Sequence, residues 1–159
     1  MLVRLALESD FPDIVEMARF NAGQTMAHHE FLPEKVYETC RQYIERANPT
    51  MFVVEHNRKN IGFMKASMTD YDFTDGFYTT LEVIFVKPEN RGSRAASLLL
   101  REFISWSDRI GAKENTGGND NEFHSEQTAR FFEKHGFSRV GYFVRRIRGV
   151  SGGKKGRRQ

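Results

Sequence analysis

Residues 88–96 read Pro-Glu-Asn-Arg-Gly-Ser-Arg-Ala-Ala, between an extended apolar run and an alanine- and leucine-rich stretch. A phosphate needs several N–H groups converging on it. The first turn of a helix offers four that lack intrahelical partners, reinforced by the positive end of the helix dipole. Gly92, Ser93, Ala95 and Ala96 are small enough for a pyrophosphate to approach the backbone, and Arg91 and Arg94 add charge-assisted donors. That is the chemistry of an anion cradle. A plain strand-to-helix turn with two solvated arginines would use the same residues, and short glycine-containing loops are common.

Two other groups of residues invite a chemical reading. His28, His29 and Glu30 are metal-ligand types, but they have no third or fourth ligand at a defined spacing. A solvated loop fits them better than a zinc site, so no metal is expected. Cys40, the single cysteine, falls on the apolar period of a helix and reads as core.

The elements around these residues follow from prolines and periodicity. "LVRLAL" reads as a strand, and Asp10 is expected to cap a helix with Pro12 in its first turn and Phe11, Ile14, Val15 and Ala18 on one face. Pro33 opens a second helix with Val36, Cys40, Tyr43, Ile44 and Ala47 at helical spacing. "MFVVEH", "NRKN" and "IGFMKASMT" then read as strand, turn and strand of a hairpin. "FYTTLEVIFV" predicts a long strand with Leu81, Val83 and Phe85 on one side and Thr80, Glu82, Ile84 and Val86 on the other. A helix should run from about Ser93 to Ile110, and a poorly apolar strand lies within "GAKENTGGNDNEF". Ser125 begins a helix with Thr128, Phe131, Phe132 and His135 inward, stopped by Gly136, and "RVGYFVRRI" should be the last strand. The order β-α-α-β-β-β-α-β-α-β predicts an α/β (α+β) fold, a mixed sheet with helices on its faces.

Composition bounds the rest. At 159 residues, 39% hydrophobic and 28% charged, the chain reads as one globular domain over residues 1–148, followed by a basic, Gly-rich tail over 149–159. From Arg145 onward there are 7 basic residues and no acid, which leaves 17 basic against 21 acidic residues before it, a body of net charge −4. A nucleic-acid-binding domain would spread basic residues over a folded face, so nucleic acid is expected at most at the tail. An acidic body instead suits a cationic partner. No apolar run approaches the ~20 residues of a membrane span, and the N-terminus meets an acid too early for a secretory signal. One cysteine fits a reducing compartment, so the expected location is cytoplasmic. The sequence leaves the oligomeric state undetermined, with a homodimer among the options because dimers are the commonest soluble assembly.

Two motifs in order, Val86-Lys87-Pro88 followed by Arg91-Gly92-Ser93-Arg94-Ala95-Ala96, and the later Phe132-Glu133-Lys134-His135-Gly136-Phe137, resemble the GNAT superfamily of acyl-CoA-dependent N-acetyltransferases. The first matches the family's Arg/Gln-x-x-Gly-x-Gly/Ala loop after a Val-x-Pro strand end. The second matches its Asn…Tyr-Glu-Lys-x-Gly-Phe helix. The order of elements is similar to this fold over residues 2–147, and the sequence motifs fill about a quarter of that span. Three positions depart from the pattern: Arg94 stands for the first motif glycine, Ser125 for the usual asparagine and Phe132 for the usual tyrosine. Arginine keeps the backbone N–H that glycine would supply. At a helix N-terminus φ is normally negative, so Arg94 should be tolerated with its side chain outward, leaving an altered but working cradle.

The resemblance implies direct attack of a primary amine on acetyl-CoA, with acetyl-CoA as co-substrate and no cysteine or serine nucleophile. It places pantetheine on the backbone of Ile84, Phe85 and Val86, phosphates on residues 91–96, and a further cofactor contact at Ser125. It makes Glu82 the candidate catalytic base, expected on the face of Ile84 with its pKa raised by partial burial. A solvated or salt-bridged strand residue is the other reading of Glu82. Phe132 cannot protonate the leaving sulfur as a tyrosine would, which leaves Tyr142, Tyr78, His124 or water for that task. The resemblance implies no particular acceptor. A GNAT-like module that binds acyl-CoA or a partner without catalysis is the competing function.

Overall fold

A computed structural model describes residues 1–45, 50–118 and 124–149. Two compact units divide the chain, residues 1–118 and 119–159. Ala47 and the tail beyond Gly149 lie outside the described residues.

The first unit is built on a five-stranded sheet in the order β1-β2-β3-β4-β5. The strands are β1 (Leu2–Leu5), β2 (Thr50–His56), β3 (Lys59–Asp70), β4 (Phe77–Val86) and β5 (Glu114–Thr116). The first four pair antiparallel and β5 runs parallel to β4. The β2–β3 hairpin turns on Asn57 and Arg58, both with positive φ (52° and 63°), the geometry whose twist matches flanking strands. Helices cover both faces, giving the mixed α/β architecture expected. On one face α1 (Phe11–Thr25) and α2 (Pro33–Glu45) bury Phe11, Ile14, Met17 and Cys40 against Met51, Val53, Phe63 and Phe85. On the other, α3 (Ala95–Ile110) buries Leu99, Leu100 and Phe103 over β2, β3 and β4. Ile44, expected inward on α2, is 38% exposed.

Asp10 does not cap α1 with its side chain. The carboxylate turns back instead, accepting from the Leu7 N–H (2.8 Å), from Asn60 Nδ2 (3.0 Å) and from both guanidinium nitrogens of Arg4 (2.7 and 2.9 Å). A buried arginine–carboxylate fork is a stronger claim on that side chain than a helix N–H.

The long strand departs from strict alternation. Lys65 pairs with Val83 and Ala66 with Leu81, so Glu82 is the extra residue of a β-bulge. Below the bulge, Thr79 points to α3, where its hydroxyl meets Ser107 Oγ at 2.7 Å. Above it, Val83 and Phe85 point to the α1/α2 core. A bulge sets two successive side chains on one side, so Glu82 shares the α2-facing surface with Val83 and not with Ile84. This corrects the alternation read from the sequence.

β5 is short and polar, as its composition foretold, and hydroxyl contacts hold it. Thr80 Oγ1 and Thr116 Oγ1 are 2.9 Å apart, Thr116 donates to the Thr79 carbonyl (2.9 Å), and Asn115 Nδ2 donates to Thr79 Oγ1 (3.1 Å).

In the second unit, α4 (Ser125–Glu133) buries Phe132, whose ring meets Phe137 edge-on at 5.1 Å. Gly136 takes positive φ (91°) just after the helix, as its C-terminal stop requires. The last expected strand is not formed: residues 138–147 have no strand assignment, and Val140, Tyr142 and Val144 are 98%, 100% and 87% exposed. Alternating β-branched and aromatic residues give strand propensity, but a strand exists only where an edge pairs with it.

Candidate active site

Beyond Thr80 the outer edge of β4 has no ladder partner among the described residues, because β5 ends at Thr116 opposite it. Leu81–Phe85 therefore presents backbone groups with no strand partner among the described residues along its outer side, while the Val86 carbonyl accepts from Arg91 Nε. On its inner side β4 presses close to β3. A Cβ on Gly62 would lie 2.6 Å from the Phe85 carbonyl oxygen, so only glycine fits there.

The strand leads through a 3-10 turn (Pro88–Asn90) into the candidate cradle. Gly92 carries the positive φ of the loop (83°) and Arg94 sits at −78°, so the position where arginine replaces the motif glycine needs no left-handed residue. Residues Arg91 to Arg94 are exposed and Ala95 is buried. Ser93 Oγ accepts from the Ala95 N–H (3.3 Å) and the Leu98 N–H reaches the Arg94 carbonyl (2.9 Å). The N–H groups of Gly92, Arg94 and Ser97 meet no acceptor among the described residues, nor does the first-turn Ala96 N–H outside its own helix. Arg91 is less free than expected: its Nε donates to the Val86 carbonyl (3.1 Å) and its guanidinium lies 5.7 Å from the centre of the Phe85 ring. It ties the end of β4 to the turn while keeping its charge beside the cradle.

Glu82 stands at the bulge with 28% of its side chain accessible. Tyr43 Oη donates to both of its oxygens (3.1 and 2.8 Å), and Lys65 Nζ lies 3.1 Å from Oε2. Burial pushes its pKa up, but hydrogen bonds from Ser67 and Tyr43 and the Lys65 ammonium outweigh burial, leaving it below the ordinary carboxylate value. This reverses the expected upward shift: the donors that steady a carboxylate also make it a weaker base. Tyr43, Lys65 and Ser67 were missed as site residues. Lys65 was the visible signal, a lone charge in the otherwise apolar and small run "IGFMKASM".

An open cleft of about 200 Å³ enters the α1/α2 face and reaches Val83 and Lys65, the neighbours of Glu82. Cys40 borders it with its thiol pushed up to about 11 by burial, so the thiol stays protonated at neutral pH. His28 and His29 stack at 4.2 Å, and no group of three metal-ligating residues occurs among the described residues. Tyr78 packs against Tyr71 at 5.4 Å, and Tyr71 donates to Glu114. The first unit thus brings together Glu82, Ile84, Phe85, Val86 and residues 91–96. Ser125 opens α4 in the second unit, directly after His124, which takes a left-handed conformation (φ 54°).

The described architecture is shared widely among solved structures. A transcriptional regulator from Bacillus halodurans C-125 superposes with a TM-score of 0.78 at 17% identity, covering 92% of this chain and 98% of that one. A Trypanosoma brucei acetyltransferase gives 0.74 at 19% identity over 92% and 98%. An aminoglycoside N-acetyltransferase in complex with CoA gives 0.73 at 16% identity over 94% and 95%. At such identities the likeness is one of fold. No curated protein matches the sequence. A family model does: the acetyltransferase (GNAT) domain matches residues 47–139, spanning β2 to α4 and both motifs. The chain belongs to the GNAT acetyltransferase family.

Proposed function

We propose that the protein transfers an acetyl group from acetyl-CoA to a primary amine by direct attack in a ternary complex. One observation carries this reading: the outer edge of β4, without a ladder partner among the described residues, leads through the Pro88–Asn90 turn to the N–H groups of Gly92, Arg94, Ala96 and Ser97 at the start of α3, a track of two donor sets with a turn between them. Such a track suits pantetheine, whose amides pair with a strand edge, followed by a pyrophosphate at a helix N-terminus. Backbone groups of Ile84, Phe85 and Val86 would hold the pantetheine and the thioester oxygen. Gly92 to Ala96 would take the phosphates, with Arg91 and Arg94 supplying charge. The solved relative that holds CoA supports the same choice of co-substrate.

In the reaction the amine nitrogen bonds to the thioester carbon, the C–S bond breaks, CoA leaves as thiolate, and the proton lost from the nitrogen passes to solvent water. Thiols with pKa near about 8.5 leave tolerably in that form, so Phe132 does not forbid turnover. Glu82 faces the cleft side of the sheet, where its held carboxylate anchors the acceptor ammonium. Its low basicity limits it as the proton's destination. The free-amine fraction then sets the rate below the acceptor's own pKa. Release of CoA from acetyl-CoA across a broad panel of amines and peptides tests the reading. Turnover that depends on an amine and collapses in Glu82→Gln supports it, while background rates with every acceptor would remove it. The non-catalytic alternative draws support from the lowered Glu82 pKa, and it predicts acetyl-CoA binding with no amine-dependent turnover.

A further inference from the structure

Lys35, Thr39 and Tyr43 follow one another at intervals of four along α2, so they share one face of the helix. Lys35 and Thr39 line the cleft, and Tyr43 holds Glu82. Eight residues of helix separate Lys35 from Tyr43 by about 12 Å along the axis. Beside Lys35 and Thr39 the cleft is walled mainly by the apolar Ile14, Val36, Met51, Phe63 and Val83, with Asn21 also polar, and Glu82 and Tyr43 stand just beyond its Lys65 and Val83 end. No carboxylate lines this cleft. Of its two cations, Lys65 is paired with Glu82, whereas Lys35 makes no ion pair with any described residue. Glu30 and His29 border an adjoining outer groove, which meets the cleft at Ala18, Lys35 and Val36.

We propose that the acceptor is an elongated apolar molecule with a primary amine at one end and an anionic group at the other, the amine at Glu82 and the anion at Lys35. This rests on the acetyltransferase reading and specifies its acceptor. A short apolar peptide in extended form spans about 10 Å in three residues, and the long Lys35 side chain covers the remainder. A polyamine or aminosugar would instead set a second cation among Lys35 and Lys65, with no carboxylate in the cleft to receive it. The charge of the cleft therefore differs in sign from the net acidic charge of the body, and the cleft is what the acceptor meets.

The test uses full-length protein with the tripeptide Leu-Ala-Leu as free acid, its C-terminal amide, and spermidine, each titrated by calorimetry with and without acetyl-CoA. The free acid is expected to bind about fivefold more tightly than the amide, the upper end for a solvent-exposed ion pair, with spermidine weakest. Lys35→Met should make acid and amide equal, and Lys35→Glu should reverse their order. Equal binding of acid and amide by the wild type, tightest binding of spermidine, or no binding of any of the three would overturn the proposal. An acid-to-amide ratio left unchanged in Lys35→Glu would do the same. CoA release is read separately: acid preference without turnover removes the catalytic reading alone, whereas turnover that prefers spermidine removes this proposal alone.

Discussion

Acid stability should depend on Asp10 more than on any exposed carboxylate. Its side chain is 5% accessible and forked by Arg4, and its pKa falls from 3.8 to about 2. The Arg4 hydrogen bonds are the largest cause. Burial opposes them, and the Leu7 N–H and Asn60 add to them. A carboxylate with a depressed folded pKa contributes stability that is present above its unfolded pKa and lost as pH falls through the folded one. The difference corresponds to about 2.5 kcal/mol, complete above pH ~5 and mostly gone by pH ~2. Asp10→Asn keeps the shape and removes the charge. It should lower unfolding free energy by about 2–3 kcal/mol at pH 7 and by little at pH ~2. Urea unfolding followed by circular dichroism at intervals from pH 7 to 2 gives both curves. The two should converge on acidification. Parallel curves would refute the reasoning, because they would show that the Asp10 charge does not differ in environment between folded and unfolded chains.

Three further outcomes are expected. Gly62→Ala should cost about 1–3 kcal/mol, because its Cβ would meet the Phe85 carbonyl at 2.6 Å, and should also weaken acetyl-CoA affinity as β4 shifts; thermal melts and titration read the two effects. In Thr79→Val the Ser107 hydroxyl and the Asn115 amide lose their buried partner, a loss of about 1–3 kcal/mol measurable by denaturant unfolding. Glu82→Gln should lower kcat/KM by roughly 10–100-fold, the loss of a charge-assisted contact of about 1.5–3 kcal/mol to the acceptor, and wild-type kcat/KM should keep rising with pH toward the acceptor's own pKa. A plateau setting in near pH ~7 would instead identify a base of raised pKa, against the lowered one that Tyr43, Ser67 and Lys65 impose.

What was legible in the sequence was whatever periodicity and turn chemistry determine. Proline and apolar spacing located α1, α2 and α3, and the polar break at Asn57–Arg58 located the hairpin. The loop residues 91–96 were readable because small and basic types before an apolar helix have a direct physical meaning there. The bulge at Glu82 was not legible: it depends on how β3 and β4 come into register, and one inserted residue turned the predicted face of Glu82 over. Its pKa followed the same course, since burial was foreseeable and the donors from Tyr43, Ser67 and Lys65, distant in sequence, were not. β5 escaped firm placement because Thr79, Thr80, Asn115 and Thr116 hold it through hydroxyls and amides. The segment after α4 misled in the opposite direction, having the composition of a strand without a partner edge.

The central claim is that β4 and the start of α3 hold acetyl-CoA despite Arg94. Calorimetric titration of the purified protein with acetyl-CoA, and in parallel with 3′-dephospho-CoA, tests it most directly. The account predicts dissociation constants in the micromolar range, weakened in an Arg94→Ala variant that retains wild-type thermal stability. No heat of binding up to about 1 mM acetyl-CoA, an affinity no better than about −4 kcal/mol, would contradict it.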